Sequence, residues 1–299
     1  MSAEVIQPRV AGGVTVVVLT FNEALNLRAC LASVAGWARA IYVVDSGSTD
    51  ATLEIASEFG ARVLRHPFET HARQWMWALD ALDADTDWVL GIDADQRLTP
   101  ALRDDISGNL ARTGNEIGGF YVCRRQIFRG RWIRHGGYYP KYLLKVFRRS
   151  RVRLEPDELV DHHFYVDGVT GNLRGDLIED NRNEADIFVW TAKHNRYAQL
   201  QAAHELKARA RAEAIAWSDA WKSPDARTSF LKSLWQRLPL FVRPCLYVFY
   251  RYVCRLGFLD GRQGFIFHVL QGFWYRLLVD INIEERRSAA TGREGETAQ

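Results

Sequence analysis

Two aspartates separated by one residue, Asp93 and Asp95, follow the apolar run "WVLGI". Alternation in an extended chain points both side chains to the same side, where like charges repel unless water or a cation lies between them. Mg²⁺ is typically held by one or two carboxylates together with substrate phosphates. The pair could therefore hold a metal–diphosphate complex, but aspartate is also a common turn residue, and the stretch alone favours a polar turn.

Two more polar clusters, "TFNE" (20–23) and "DSGSTD" (45–50), also follow apolar runs that are typical of strands. Strand patterns at 14–20, 40–45, 61–66 and 87–95 alternate with helical patterns at 24–34, 50–60 and about 71–82. This rhythm predicts an open, mainly parallel α/β sheet, in which ligands bind at the carboxyl ends of the strands. Three polar clusters on one edge favour a binding site, and Asp50 is expected to cap the helix after it.

The rest of the chain has a different character. Residues 118–178 indicate strands and loops of a mixed sheet, and the pattern becomes helical from about 185. We expect a catalytic α/β domain over 1–220, with helices on both faces of the sheet. An amphipathic, basic and aromatic helical region is expected over 221–285, followed by a disordered tail over 286–299.

Composition excludes several classes of protein. A formal net charge of +3 over 299 residues gives no indication of a nucleic-acid partner. The four cysteines form no Cys-x-x-Cys pair, which argues against a zinc site or a disulfide framework and fits a reducing compartment. The start of the chain has no apolar segment of signal-peptide type, and no apolar run reaches the ~18 residues of a membrane span.

Residues 235–275 contain twelve of the chain's 36 aromatic residues, interleaved with arginines. Arginine is costly at the centre of a bilayer, whereas aromatic rings and basic groups both suit the interface with anionic lipid. Contact with a membrane surface is the favoured interpretation. The alternative is a helical subdomain whose aromatic side chains pack on the catalytic domain or on a second subunit.

The motifs "VTVVVLTFNEALNLRACLASV", "IYVVDSGSTDATLEIASEFGARV" and "DWVLGIDADQRLTP" resemble those of family 2 glycosyltransferases, which have the GT-A fold. The later stretches "HGGYYPKYLLKVFRR", "KHNRYA" and "RLGFLDGRQGFIFHVLQGFWYR" are similar to a bacterial, beta-1,4-glucosyltransferase-like subgroup that adds sugars to lipopolysaccharide core or polysaccharide precursors. The resemblance covers roughly residues 14–283. It implies a UDP-sugar as the donor, of which UDP-glucose is the first choice, and Mg²⁺ or Mn²⁺ as the cofactor. It also implies a lipid-linked or lipopolysaccharide acceptor. It also implies a peripheral position at the cytoplasmic face of the inner membrane.

The resemblance assigns roles to individual residues. Asp95, with Asp93, would hold the metal. The donor nucleotide would lie along Thr20, Asn22, Glu23, Asp45, Ser46, Gly47, Ser48, Asp93 and Ala94. Many relatives have glutamate where this chain has Gln96. The Q-x-x-R-W motif of processive synthases is absent, which indicates transfer of single sugars.

The catalytic base is expected in "ELVDHHFYVDG", at Asp161, with Glu158 and His162 as the second choices. Several roles stay open on the residues alone. His162 and His163 could be metal ligands instead, or ordinary structural histidines. Gln74 could face the donor or act as a structural amide, and Arg196 could reach a phosphate or lie in solvent.

Two other functions remain as alternatives. A sugar-nucleotidyltransferase would also use an α/β sheet and an acidic metal site, but the chain lacks a Gly-rich, basic loop after its first strand. A non-catalytic membrane scaffold could have kept a transferase fold. A dinucleotide-binding oxidoreductase fits less well, because no G-x-G-x-x-G follows the first strand.

Overall fold

The computed structural model describes residues 13–155, 163–211, 235 and 237–297. The described residues form two compact units that divide between Asp186 and Ile187. The domain boundary expected near residue 220 falls outside the described residues and stays a prediction.

The first unit alternates strands and helices, as the sequence predicts, and then becomes rich in strands. Its elements are β1 (Thr15–Thr20), α1 (Ala24–Ala32), β2 (Ala40–Asp45), α2 (Thr52–Glu58), β3 (Arg62–Arg65), α3 (His71–Asp80), β4 (Trp88–Asp93), β5 (Gln96–Leu98), α4 (Pro100–Leu110), β6 (Ile117–Phe128), β7 (Arg131–Trp132), β8 (Tyr142–Arg148), β9 (Val152–Arg153), β10 (Tyr165–Val166) and β11 (Val169–Glu179).

One mixed sheet runs in the order β3-β2-β1-β4-β8-β6-β11-β5, and β7 pairs with β6. The strands β3, β2, β1 and β4 are parallel, whereas β8 is antiparallel to both β4 and β6. The mainly parallel first half and the mixed second half are confirmed. Parallel strands need crossover helices, which explains why helices separate the first four strands along the chain.

Helices cover both faces of this sheet, because β1 is apolar on both sides. Val16 and Val18 pack in a cluster with side chains of α1, α2 and α4. Val17 points the other way, into a cluster with Trp75 and other residues of α3. A continuous Val/Leu run is the pattern expected of a strand buried on both faces. The expected open α/β sheet with helices on both sides is confirmed.

Gly91, two residues before Asp93, shows how tightly the second face is packed. A Cβ atom built on Gly91 would lie 3.1–3.2 Å from ring atoms of Phe164 and Trp75. Both rings are buried, and their centroids lie 5.0 Å apart in an edge-to-face arrangement. A larger residue at this position would have to displace one of these two buried rings by a few tenths of an ångström, in a core that is already close-packed.

The second unit is helical, with α5 (Ile187–Arg211), α6 (Val242–Phe249), α7 (Gly261–Phe267) and α8 (Tyr275–Thr297), and with π-helical turns at 250–254 and 268–274. Ala198 and Ala202 of α5 pack against Tyr275, Val279 and Ile283.

Among the described helices, none has the length and apolar content needed to cross a bilayer. The backbone of 286–297 continues α8. The expectation of a disordered tail over 286–299 stays a prediction.

The arginines of the basic, aromatic region do not all lie at the surface. Arg243 is buried, and its guanidinium donates to the carboxylates of Asp280 and Glu205, which are buried as well. Arg255 and Arg262 are exposed. The sequence alone groups these arginines as one set facing lipid. For Arg243 that interpretation is wrong, because two acidic side chains of neighbouring helices neutralise its charge inside the unit.

Candidate active site

The three polar clusters meet at one edge of the sheet. Thr20 at the end of β1 pairs in register with Asp45 at the end of β2. Leu19 of β1 pairs in register with Asp93 at the end of β4. Parallel neighbouring strands thus bring three separate stretches of sequence together, and the expectation that the clusters share the carboxyl edge is confirmed.

The Asp45 carboxylate organises the loop that follows β2. Its Oδ2 accepts from the amides of Gly47 and Ser48, each at 2.9 Å, and its Oδ1 accepts from the hydroxyls of Thr20 and Ser48. A carboxylate has about four lone-pair sites, so these four donors use its full capacity. Asp45 is buried at the edge and holds the loop 46–48 in place.

The loop after β1 is fastened to the loop after β2. Asn22 has a left-handed backbone (φ 55°), and its amide donates to Ser48 Oγ at 2.8 Å. Its side-chain Oδ1 accepts from the amide of Thr49 at 2.8 Å. The amide of Glu23 donates to Thr52 Oγ1 at 2.8 Å. Asn tolerates the left-handed region better than most residues, which fits its place at this sharp turn.

Asp50 accepts from the amide of Thr52 at 3.0 Å, at the start of α2, although Ala51 and not the expected Asp50 occupies the N-cap position. It also accepts from the amide of Ala24 at 3.1 Å, at the start of α1. Burial raises the pKa of Asp50, but the hydrogen bonds from Thr52 and Ala24 outweigh burial and bring the pKa below its usual value. One carboxylate therefore satisfies amides at two helix starts.

The buried Gln74 is hydrogen-bonded to neighbouring protein groups through both its oxygen and its nitrogen. Its Oε1 lies 2.8 Å from His66 Nδ1, and its Nε2 donates to Ser46 Oγ at 3.1 Å and to the carbonyl of His66 at 3.2 Å. Of the two roles that the sequence left open, this geometry favours the structural amide. Gln74 acts on the edge by holding the Ser46 hydroxyl.

The two aspartates of "GIDADQ" lie half-buried at the end of β4. Asp93 Oδ2 lies 3.2 Å from Nζ of Lys145, a residue of β8 whose side chain is only 5% exposed. Lys145 was not predicted as a site residue, and its only signal in the sequence was a lysine inside the apolar strand "YLLKVFRR". A buried cation beside Asp93 offsets the repulsion that two neighbouring carboxylates would otherwise create.

Negative charge is nevertheless concentrated here. Burial, followed by the charges of Asp95, Asp93 and Glu23, raises the pKa of the Cys30 thiol well above its usual range. All three carboxylates are thus close enough to act on one buried sulfur. Cys30 stays a neutral thiol at this edge and is not a reactive thiolate.

Gln96 bridges the Asp-x-Asp turn to the far side of the sheet. Its Oε1 accepts from the amide of Asp93 at 3.1 Å, and its Nε2 donates to Glu179 at 2.9 Å. Glu179, at the end of β11, also pairs with Arg124 at 3.0 Å. A neutral amide is the group that can accept from one side and donate to a carboxylate on the other.

Replacing Gln96 with glutamate is expected to lower the free energy of unfolding by about 1–3 kcal/mol, because a buried carboxylate would then face Glu179. Chemical denaturation of both proteins measures the difference. The matched control is Gln96→Glu combined with Glu179→Gln, which restores a donor–acceptor pair and should recover part of the loss. Equal stability of wild type and Gln96→Glu would contradict this account.

The segment "EDNRN" (179–183), which was not predicted to belong to the site, completes the edge. The amide of Asp180 donates to the carbonyl of Asp95 at 3.0 Å. Asn183 Nδ2 donates to the carbonyl of Asn22 and to Glu23 Oε2, each at 3.1 Å. The only indication of this segment in the sequence was a run of polar residues directly after a strand. The segment joins the Asp-x-Asp turn to the loop after β1.

The expected catalytic base cannot be located, since Asp161, Glu158 and His162 lie outside the described residues. His163 is exposed, and its ring centroid lies 6.4 Å from that of Tyr165. Arg196 is exposed on α5 of the second unit. Their roles, like those of Thr20, Ser46, Gly47 and Ala94 in nucleotide binding, stay predictions.

The edge fits a divalent cation shared with a diphosphate. Within the described part of the chain, no group of three or more His, Cys, Asp or Glu side chains is arranged to hold a metal. Asp93 and Asp95 supply two carboxylates, the number that Mg²⁺ commonly takes from protein when substrate phosphates supply further oxygens. The prediction that Asp95 is the direct metal ligand, with Asp93 beside it, stays a prediction.

The open mixed α/β sheet with helices on both faces is that of a glycosyltransferase with a GT-A-like fold, and the chain belongs to Glycosyl transferase family 2, whose model matches residues 15–177. It is similar to the lipopolysaccharide core biosynthesis glycosyltransferase LpsC of Rhizobium meliloti, at 30% identity over 201 residues, which are 64% of this chain and 70% of LpsC. An uncharacterized glycosyltransferase of Rickettsia bellii is 38% identical over 89 residues, 30% of each chain.

A solved structure is similar over a smaller part of the chain. Glucosyl-3-phosphoglycerate synthase from Mycobacterium tuberculosis, in complex with Mn²⁺, uridine diphosphate and glucosyl-3-phosphoglycerate, shares 29% identity. The TM-score is 0.30, and the match covers 40% of this chain and 46% of that one. Membership of the transferase family favours glycosyl transfer over the nucleotidyltransferase alternative.

Proposed function

We propose that this glycosyltransferase moves a sugar from a UDP-sugar to a lipid-linked glycan or lipopolysaccharide precursor. UDP-glucose is the preferred candidate for the donor, and the transfer inverts the configuration at the sugar's C1. The observation that carries the proposal is the position of Asp93 and Asp95 beside the loops after β1 and β2. Similarity to a lipopolysaccharide core transferase over 70% of that relative supports the acceptor class.

On the donor side, the reaction requires stabilisation of the negative charge that develops on the leaving group. As the bond between C1 and the diphosphate oxygen breaks, negative charge develops on the leaving UDP. A Mg²⁺ or Mn²⁺ ion held by Asp95 and Asp93 would supply Lewis-acid neutralisation of that charge. The chain's own contribution is to orient Asp93 through Lys145 and to hold the 46–48 loop through Asp45.

On the acceptor side, a hydroxyl oxygen forms the new bond to C1, and its proton passes to a general base on the opposite face of the sugar. We assign that base to Asp161, with Glu158 and His162 as the alternatives. Single substitutions test the assignment by turnover. Unchanged turnover for Asp161→Asn would move the role to one of the other two.

We also propose that the second unit contacts a membrane surface that carries the acceptor. Phe249, Phe258, Leu259 and Phe265 are each 45–58% exposed. Arg255 lies exposed within the same stretch. Exposed apolar groups next to exposed cations are the combination that favours the interface of an anionic bilayer, so a peripheral position at the inner membrane is expected.

Calorimetry of UDP binding, with and without Mn²⁺, tests the donor assignment. Wild type should bind UDP in a metal-dependent way, and Asp95→Ala should lose that dependence with at least a tenfold drop in affinity, because a metal ligand is removed. If UDP binds tightly and its affinity changes neither with Mn²⁺ nor with the substitution, the two carboxylates have a structural role. Absence of UDP binding would favour the non-catalytic scaffold.

Co-sedimentation with vesicles tests the membrane assignment. Phe258→Ser with Leu259→Ser should at least halve the fraction that pellets with vesicles containing phosphatidylglycerol, because apolar area is lost from the contact. The matched control is Phe68→Ser with Val169→Ser, which removes exposed apolar residues from the first unit. The surface assignment fails if both double variants pellet like wild type.

A further inference from the structure

The loop between β6 and β8 carries a net positive charge. Residues 129–141, "RGRWIRHGGYYPK", are called the basic hairpin here; they include three arginines and a lysine and contain no aspartate or glutamate. Arg129, Arg131 and Arg134 are exposed. None of the three makes an ion pair with any residue that the structure describes. Their charges are therefore available to a ligand.

Topology puts the basic hairpin at the edge that carries the candidate active site. Because β8 is antiparallel to β4, it begins where β4 ends, and β6, antiparallel to β8, ends at the same edge. Lys145, four residues after the basic hairpin, reaches Asp93. The exposed arginines thus project from the same edge as the two aspartates.

The basic hairpin is built onto the sheet. Ile133 is fully buried, and its amide donates to the carbonyl of Gln126 at 2.9 Å. The hydroxyl of Tyr139 donates to the buried carboxylate of Asp176 at 3.1 Å. Burial, together with the charge of Asp176, raises the pKa of Tyr139 to about 12, so this hydroxyl stays a donor. These contacts keep the basic hairpin in one arrangement.

Neighbouring arginines show that the exposed ones are a separate set. Arg124 pairs with Glu179, and Arg125 pairs with Asp176 and lies 4.6 Å from the Trp132 ring. The guanidinium of Arg134 lies 5.4 Å from the centroid of the same ring. The charges of Arg124 and Arg125 are thus neutralised by carboxylates of the sheet, while the exposed arginines of the basic hairpin remain able to bind a ligand.

We propose that Arg129, Arg131 and Arg134 bind phosphate groups of the acceptor, so that the acceptor is a phosphorylated saccharide. This inference rests on the proposed function and names the chemical class of its second substrate. The planar guanidinium matches phosphate oxygens in a two-pronged arrangement, and several arginines on one side of a cleft also attract an anionic substrate. The donor diphosphate would bind instead at the side of the edge where Asp93 and Asp95 would hold the metal.

The experiment uses the full chain saturated with UDP and Mn²⁺, titrated with glucose 6-phosphate and, separately, with glucose. Wild type should bind the phosphate ester and not the free sugar. Arg131→Gln with Arg134→Gln should weaken binding of the ester by at least about tenfold, because charged hydrogen bonds are lost. The matched control is Arg112→Gln with Arg174→Gln, which removes two exposed arginines elsewhere in the first unit and should leave binding unchanged.

Other outcomes overturn the inference. Wild type that does not bind the phosphate ester, or a hairpin variant that binds it as wild type does, removes the acceptor role. An equal loss of UDP affinity in the hairpin variant would assign the arginines to the donor. Loss of binding to phosphatidylglycerol vesicles alone would assign them to lipid. Failure of UDP to bind wild type would instead overturn the proposed function itself.

Discussion

Replacing Arg243 with methionine is expected to lower the free energy of unfolding of the second unit by about 3–5 kcal/mol, because two buried carboxylates lose their cation. The side chains of Arg243, Glu205 and Asp280 are 1%, 5% and 0% exposed. Burial lowers the pKa of Arg243, but the bonds to Asp280 and Glu205 outweigh it and keep its pKa above the ordinary value. Hydrogen exchange of amides in α5 and α8 measures the effect, and amides of β1 and β2 provide the internal reference.

The control removes all three charges together. Arg243→Met with Glu205→Gln and Asp280→Asn leaves no uncompensated charge, and an asparagine can still accept from the amide of Phe241, which now donates to Asp280 at 2.8 Å. Most of the lost protection should return, since buried ion pairs are often replaced by neutral groups at little cost. A triple variant no more protected than Arg243→Met would show that packing, and not charge, dominates.

Replacing Asp45 with alanine is expected to destabilise the first unit by about 3 kcal/mol and to abolish measurable UDP binding. Four donors converge on this carboxylate, and hydrogen bonds to a charged group contribute about 1.5–3 kcal/mol each when they are intact. Water can reach some donors at the edge, so the loss is smaller than their sum. Chemical denaturation and UDP calorimetry on the same preparation measure both effects.

Asp45→Asn separates a structural role from direct contact with the nucleotide. An asparagine can turn its carbonyl to the fixed amides of Gly47 and Ser48 and its NH₂ to hydroxyls, which can accept. Stability should therefore fall by only about 1 kcal/mol. Retained UDP affinity would mean that Asp45 acts through the loop. Lost affinity in a stable Asp45→Asn protein would mean that the carboxylate touches the nucleotide directly.

Local pattern was sufficient to predict the first half of the fold. The Val/Leu run of β1 and the helical spacing of α1 and α3 depend on periodicity over a few residues. Parallel strands separated by helices then place "TFNE", "DSGSTD" and "DADQ" on one edge. The sequence alone therefore determined the fold class, the family motifs and the place of Asp93 and Asp95.

Contacts between residues distant in the chain were decided only by the tertiary structure. Lys145 lies 52 positions from Asp93, and Gln96 meets Glu179 across 83 positions. Arg243 counts as a surface charge by composition, yet it is neutralised by Glu205 and Asp280 from two other helices. Burial and pairing of a charge depend on which strands and helices become neighbours, and no local pattern of residue types encodes that.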